Sequence, residues 1–308
     1  MAVSLRAKGA IPLAGMDFCL PRALNRAMKA SMKKRIAFGS LLIAVVAGLL
    51  VVDWYLETHR ILAVRALPLA VMLVPVMAVA FLELAGLVST VGVDVLVVSG
   101  SLGTIVLAAL PFWWQYGGRP FDGYAALAVL GAIQLPIFLE QIVRFGAADA
   151  IRRVGLTYLA VTYLGAGLGV MLAIRMKLGV AALALFLATV KCADIVAYFV
   201  GSGLGRHKLI PWLSPGKSWE GLIGALGAGA IVSVLSVLAL RFNMTVGRAA
   251  ILGLVIAAAG QAGDLCESLL KRSAGVKDSG AVVPEFGGAL DILDSLLLSA
   301  PVAYLMLV

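Results

Sequence analysis

The chain has 308 residues, 62% of them hydrophobic and 13% charged, with a mean hydropathy of +1.05 and a formal net charge of +9. Soluble domains run at about 45–50% apolar and about 25% charged, and one this apolar would expose large aggregating patches. An ordinary soluble globular domain is therefore excluded, and the pattern is that of a membrane protein.

The basic excess begins at the N-terminus. Eight of the 25 Lys and Arg lie in residues 1–35, where Asp17 is the only acid. A basic stretch beside a membrane span sits on anionic headgroups. No nucleic-acid recognition motif follows it, so no nucleic-acid partner is expected. The stretch is too long for the basic region of a secretory signal. Arg22, Arg26, Lys29 and Lys33 recur at helical spacing, which suits a short helix on the membrane surface; disorder remains an equal alternative. The cysteines Cys19, Cys192 and Cys266 form no CxxC pair, and His59 and His207 are too few for a histidine-based metal centre.

Apolar runs long enough to cross a bilayer, about 20 residues each, predict nine spans. They cover roughly 36–56, 62–86, 89–112, 121–143, 154–174, 178–200, 220–240, 248–270 and 288–308. The expected fold is all-α, a polytopic transmembrane helical bundle of about nine helices. It divides into a basic segment 1–35, N-terminal helices 36–177 and a C-terminal catalytic region 178–308. Gly221, Gly224, Gly227 and Gly229 predict close helix packing within 220–232. No internal repeat is visible, which weakens a transporter built on repeated halves. Alternating loops divide the 25 basic residues into 18 on the N-terminal side and seven opposite. The positive-inside rule then puts the N-terminus and loops 201–219 and 271–287 in the cytoplasm.

Eight of the sixteen acids follow position 190, mostly at span ends or inside spans, where ionisable groups are functional candidates by default. Glu83 also lies deep in a span, where it could pair with an Arg or accept backbone hydrogen bonds. Gln261, Asp264, Glu267, Ser268 and Lys271 share one helix face. A Glu267–Lys271 ion pair explains part of that pattern and leaves Asp264 without a partner. Asp291 and Asp294 lie three apart at the head of the last span, after Gly287 and Gly288. One acid there suits a helix N-terminus. Two acids converging with Asp264 call for a divalent cation, and oxygen ligands favour Mg²⁺. The glycines of 201–205, beside Arg206, His207 and Lys208, suit either phosphate binding or a flexible turn. The GxxxxGK[ST] spacing of a Walker A loop is absent.

The run Gly263-Asp-Leu-Cys-Glu-Ser-Leu-Leu-Lys-Arg272, then Lys277-Asp278, then Gly287-Gly-Ala-Leu-Asp-Ile-Leu-Asp-Ser295 resembles the signature of the phosphatidate cytidylyltransferases, also called CDP-diacylglycerol synthases. The stretch from Lys191 to Gly221 resembles that family's preceding loop. The resemblance implies transfer of cytidylate from CTP to phosphatidic acid, with Mg²⁺ as cofactor and a second cation such as K⁺ left open. It implies Asp264, Asp291 and Asp294 at the metal. It puts Asp264, Lys271, Arg272, Lys277 and Asp278 in catalysis. It puts Lys191, Asp194, Ser214, Lys217, Ser218, Glu220 and Ser268 at the substrates. Membrane lipids and a homodimer are its implied partners, and a bacterial inner membrane its implied location.

The chain departs from the family pattern at three places. Phe286 stands where a His is usual, Ile292 where an Arg is usual, and Gly216-Lys217 where a basic pair is usual. Two other readings stay open. One is a related CTP-dependent membrane enzyme, a polyprenol or phytol kinase or an archaeol-type cytidylyltransferase. The other is an ion-coupled transporter.

Overall fold

A computed structural model describes residues 22–61, 64–116, 123–280 and 287–308. Eight helical stretches among them are long and apolar enough to cross a membrane. The chain folds as a polytopic helical bundle, as expected.

Helix α1, Arg22–Thr58, is continuous from the basic segment into the first span, so the short separate surface helix expected at 22–33 is instead the start of α1. Helix α2 covers Leu67–Ser89 and α3 covers Val97–Tyr116. The expected third span started at 89, eight residues too early. Gly92 turns the chain with φ +80°, and residues 91–96 are fastened by polar bonds to a later helix that carries Arg153 and Thr157. Thr157 Oγ1 accepts from Leu96 N at 2.9 Å, and Arg153 Nε donates to Asp94 O at 3.2 Å. The alternating valines of 91–98 read as span because periodicity does not reveal these side-chain partners.

The fourth span is two helices, α4 (Gly123–Ala132) and α5 (Gln134–Phe145). Pro136 lacks the N–H that would continue α4 past Ala132. Next come α6 (Ala150–Val161), a π-helical turn (Thr162–Ala166), α7 (Gly167–Ala173), a second π-helical turn (Ile174–Leu178) and α8 (Gly179–Leu204). This 55-residue stretch would measure about 80 Å as one rod, against about 30 Å of hydrocarbon. Gly179, at φ +89° and ψ 174°, breaks it. Its two arms correspond to the fifth and sixth expected spans.

A hairpin of β1 (Lys208–Ile210) and β2 (Ser214–Ser218) follows, antiparallel, with Lys208 opposite Ser218 and Ile210 opposite Ser214. It is the small departure from an all-α chain. Three helices complete the bundle: α9 (Trp219–Ala239), α10 (Val246–Ser273) and α11 (Ala289–Leu307).

Helices α8 to α11 pack in chain order, each against the next, while α7 lies between α3 and α11. Small residues permit this. A Cβ on Gly229 would stand 2.6 Å from Gly253 O across the α9–α10 contact, and one on Gly167 would stand 2.8 Å from Leu297 O. Gly227 has open space and does no such work. A core of Leu164, Leu168, Phe186, Leu290 and Leu297 underlies the polar face. Helix α1 leans on α2 and α8, with most of its apolar side chains over residues 37–58 exposed. Its anchor is Arg175, fully buried in the second π-helical turn, which pairs with Asp53 and, at 2.8 Å, with Glu57.

Candidate active site

The polar site forms where α8, α10, α11 and β2 meet. Lys191 and Asp194 lie one turn apart on α8, about 22 Å along that helix from Gly179 to Asp194. Lys191 Nζ donates to Ser295 Oγ at 2.9 Å and to Ile292 O at 3.0 Å. Ser295 Oγ donates to Asp194 Oδ2 at 2.8 Å, and Gln261 Nε2 donates to Asp194 Oδ1 at 3.0 Å. From the hairpin, Lys217 Nζ reaches Asp264 Oδ2 at 3.0 Å, Gln261 O at 3.2 Å and Gln261 Oε1 at 3.3 Å. Asp264 therefore has a cationic partner, which the helix face alone did not supply.

Asp264 Oδ1 is buried with no hydrogen-bond partner. Buried carboxylate oxygens normally have partners, so this atom is a candidate ligand atom. Asp294 is close by: a Cβ on Gly263 would stand 2.5 Å from Asp294 O, and Asp294 senses the charges of Asp264, Glu267 and Lys191. Among the described residues no three acid, His or Cys groups are placed to hold a metal ion between them.

Asp291 lies apart from that cluster. Lys271 Nζ donates to its Oδ1 at 2.6 Å. Its Oδ2 accepts from Gly288 N at 2.7 Å, Ser279 Oγ at 2.9 Å and Ser279 N at 3.1 Å. Both oxygens are thus taken within the protein. The expected Glu267–Lys271 pair is present at 2.5 Å, off hydrogen-bond angles.

The sequence profile of the cytidylyltransferase family matches residues 33–308. The chain belongs to the cytidylyltransferase family. Its relatives include proteins named phosphatidate cytidylyltransferase. That of Haemophilus influenzae is 45% identical over 114 residues, which is 35% of this chain and 39% of the relative. That of Synechocystis sp. is 42% identical over 121 residues, 39% of this chain and 41% of the relative. That of Staphylococcus haemolyticus is 39% identical over 115 residues, 37% of this chain and 44% of the relative. Each match spans less than half of the relative's length.

The other residues expected at the site fall into three groups. Some are structural in this fold. Ser218 is buried, and its Oγ accepts from Gly221 N at 3.1 Å as the N-cap of α9. Glu220 accepts from His207 N at 3.2 Å and pairs with His207 Nδ1 at 2.7 Å. Arg272 holds the hairpin to α10 through Leu213 O at 3.2 Å and also bonds Val276 O at 3.1 Å. Lys277 and Asp278 are exposed, with no hydrogen bond or ion pair among the described residues. Ser214 opens β2 and Ser268 is half-buried on α10, neither with a side-chain hydrogen bond there. The glycines of 201–205, expected in a loop, instead end a helix. Residues 201–204 are the last turn of α8, and Gly201 and Gly221 let α8 and α9 approach around Ser218. Phe286 lies outside the described residues.

Two further residues at the site come from the N-terminal helices, residues 36–177. Tyr163, in the first π-helical turn, buries an unpartnered hydroxyl within electrostatic reach of Asp264, Glu267 and Asp294. π-helical turns are frequent at functional sites, yet a lone Tyr in an apolar run carries no sequence signal. Glu83 bonds the start of α11, as its span position allowed.

Proposed function

We propose that the chain transfers cytidylate from CTP to phosphatidic acid, giving CDP-diacylglycerol and pyrophosphate for phospholipid synthesis in a bacterial inner membrane. The observation that carries this reading is the meeting of Asp194, Asp264 and Asp294 with Lys191 and Lys217 in a chain of the cytidylyltransferase family. The 18-to-7 division of basic residues supports a cytoplasmic N-terminus and cytoplasmic access for CTP. Homodimeric assembly belongs to the same reading, and the mass of the detergent-solubilised protein checks it.

Mg²⁺ fits the donor set, because all candidate ligands are oxygens and Asp264 Oδ1 has no partner. Mg²⁺ commonly takes one or two carboxylates and completes its shell with water and substrate phosphates. Asp264 and Asp294 would hold it, with Asp194 beside them. Bound there, the ion supplies charge neutralisation to the triphosphate. Asp291 then serves by anchoring Lys271 rather than as a ligand.

The reaction needs in-line positioning more than a protein nucleophile. An oxygen of the lipid phosphate forms a bond to the α-phosphorus of CTP. The bond from that phosphorus to the β-phosphate bridging oxygen breaks, and pyrophosphate leaves with the electron pair. Lys217 and Lys191 face this point and offset the charge on phosphate oxygens. Lys277, exposed on the 274–280 turn, is free to meet the leaving pyrophosphate.

The test is incubation of purified protein with labelled CTP, phosphatidic acid and Mg²⁺, followed by lipid extraction. A labelled CDP-lipid with equimolar pyrophosphate supports the proposal. CDP as the nucleotide product would indicate a kinase and overturn it. Ligand flux in liposomes without CTP would indicate a transporter.

A further inference from the structure

We infer that Glu83 is a positioning residue: from α2 it clamps the start of α11 and the 279–280 turn, and so sets the places of Asp291, Asp294 and Lys271. The inference rests on the proposed function only for what those groups do once placed.

Glu83 is the single charged residue in the 23 residues of α2. A carboxylate inside a span is costly unless it is met by strong partners. No lysine or arginine among the described residues pairs with it. Its partners are backbone amides more than 200 residues away. Oε1 accepts from Ala289 N at 3.0 Å, and Oε2 accepts from Leu290 N at 2.9 Å. These are two of the four N–H groups that a helix start leaves unsatisfied, and a carboxylate there also suits the helix dipole.

The same carboxylate reaches into the site. Ser279 Oγ stands 3.4 Å from Glu83 Oε2 and 2.9 Å from Asp291 Oδ2, so its one proton is shared unequally between them. Asp291 in turn holds Lys271 at 2.6 Å, and Lys271 holds Glu267. A continuous polar line therefore runs from α2 to the face of α10 that bears Asp264. The backbone is shaped to admit it. A Cβ on Gly280 would stand 2.6 Å from Glu83 Oε1, and one on Gly288 would collide with both Glu83 Oε2 and Ser279 Oγ. Glycine at these two positions leaves the carboxylate room, where a methyl would make the flexible ends of Glu83 and Ser279 shift.

Asp291 and Asp294 lie in the first two turns of α11, directly beyond the clamped amides. Misplacing a reacting constellation by about 1 Å costs on the order of 100-fold in rate. Releasing the clamp therefore acts on turnover rather than on substrate capture.

The experiment compares full-length wild type with Glu83→Ala, Glu83→Gln and Gly280→Ala, each monodisperse in detergent. It reads kcat and KM for CTP, and hydrogen exchange at the 287–292 amides. Glu83→Ala is expected to lose on the order of 100-fold in kcat with KM near wild type, and to exchange faster at Ala289 and Leu290. Glu83→Gln, which keeps one acceptor oxygen, falls between, and so does Gly280→Ala, whose methyl shifts the carboxylate without removing it. Wild-type kcat per folded molecule in Glu83→Ala, even with a lowered thermal midpoint, would make Glu83 a merely structural cap and overturn the inference. So would unchanged amide exchange. If wild type itself transfers no cytidylate, the proposed function fails, and the exchange readout still decides the clamp.

Discussion

The buried ion pair between Arg175 and Asp53 gives a prediction whose size follows from the structure. Arg175 has no exposed surface and Asp53 only 2%. Arg175 is the only described partner of Asp53, whereas Glu57 also has Arg65 at 3.2 Å. Arg175→Met therefore strands one buried carboxylate completely and one only partly. Breaking a buried pair from one side costs about 3–5 kcal/mol. A lost hydrogen bond inside a membrane protein averages only about 0.6 kcal/mol, with a maximum of about 1.7, so the two explanations are separable. Asp53→Leu, which leaves Arg175 with Glu57, should cost about 1–3 kcal/mol. The double variant Arg175→Met/Asp53→Leu should return to within about 1 kcal/mol of wild type, because an apolar replacement of a buried pair is often neutral. Denaturant unfolding in mixed micelles measures all four corners of the cycle. Proteolysis of α1 should rise in the single variants, since α1 has few other buried contacts. A cost below about 1 kcal/mol for Arg175→Met, with no coupling in the cycle, would refute the reasoning.

Other predictions follow from individual contacts. Gly253→Ala drives a methyl into the backbone of Gly229 and should destabilise by about 1–3 kcal/mol. Gly247→Ala, with open space around it, should not, and thermal unfolding in detergent separates the two. Ser218→Ala removes the cap of α9 and should cost about 1 kcal/mol, read in the same assay. Lys271→Met leaves Glu267 and Asp291 without their shared cation and should lose both stability and turnover. Lys277→Ala should keep stability within about 0.5 kcal/mol and act only on kinetics.

The spans were legible because the bilayer demands long apolar runs, and these are linear features. Their errors arose where local polar bonds outweigh hydropathy. Val91, Val93, Val95 and Leu96 read as span, yet Thr157 and Arg153 tie this stretch down as a non-helical connection. The face from Gln261 to Lys271 was legible because helical spacing is fixed, and the Glu267–Lys271 pair is intrahelical. What joins helices was not. The resemblance puts Asp194 at the substrates, and its place beside Asp264 depends on how α8 packs against α10. Asp291 shares a helix face with Asp294, which spacing shows, whereas its bonds to the Ser279 turn and Lys271 depend on how the helices pack. Glu83 was seen as costly in a span and open to backbone bonds. Which backbone it would meet lies more than 200 residues away and has no side-chain signature. Gly201 and Gly205 read equally as phosphate-binding or as turn glycines, because packing glycines carry no different signature in sequence.

The central claim is that Asp194, Asp264 and Asp294, with Lys217, form the centre of cytidylyl transfer. Its most direct test is the Mg²⁺-dependent rate of CDP-lipid formation by Asp264→Asn and Asp194→Asn, set against wild type and Lys277→Ala, all monodisperse in detergent. The account predicts losses on the order of 100-fold or more for both Asp variants, as expected when groups that stabilise the transition state are removed, with a smaller loss for Lys277→Ala. Full turnover in folded Asp264→Asn would contradict it.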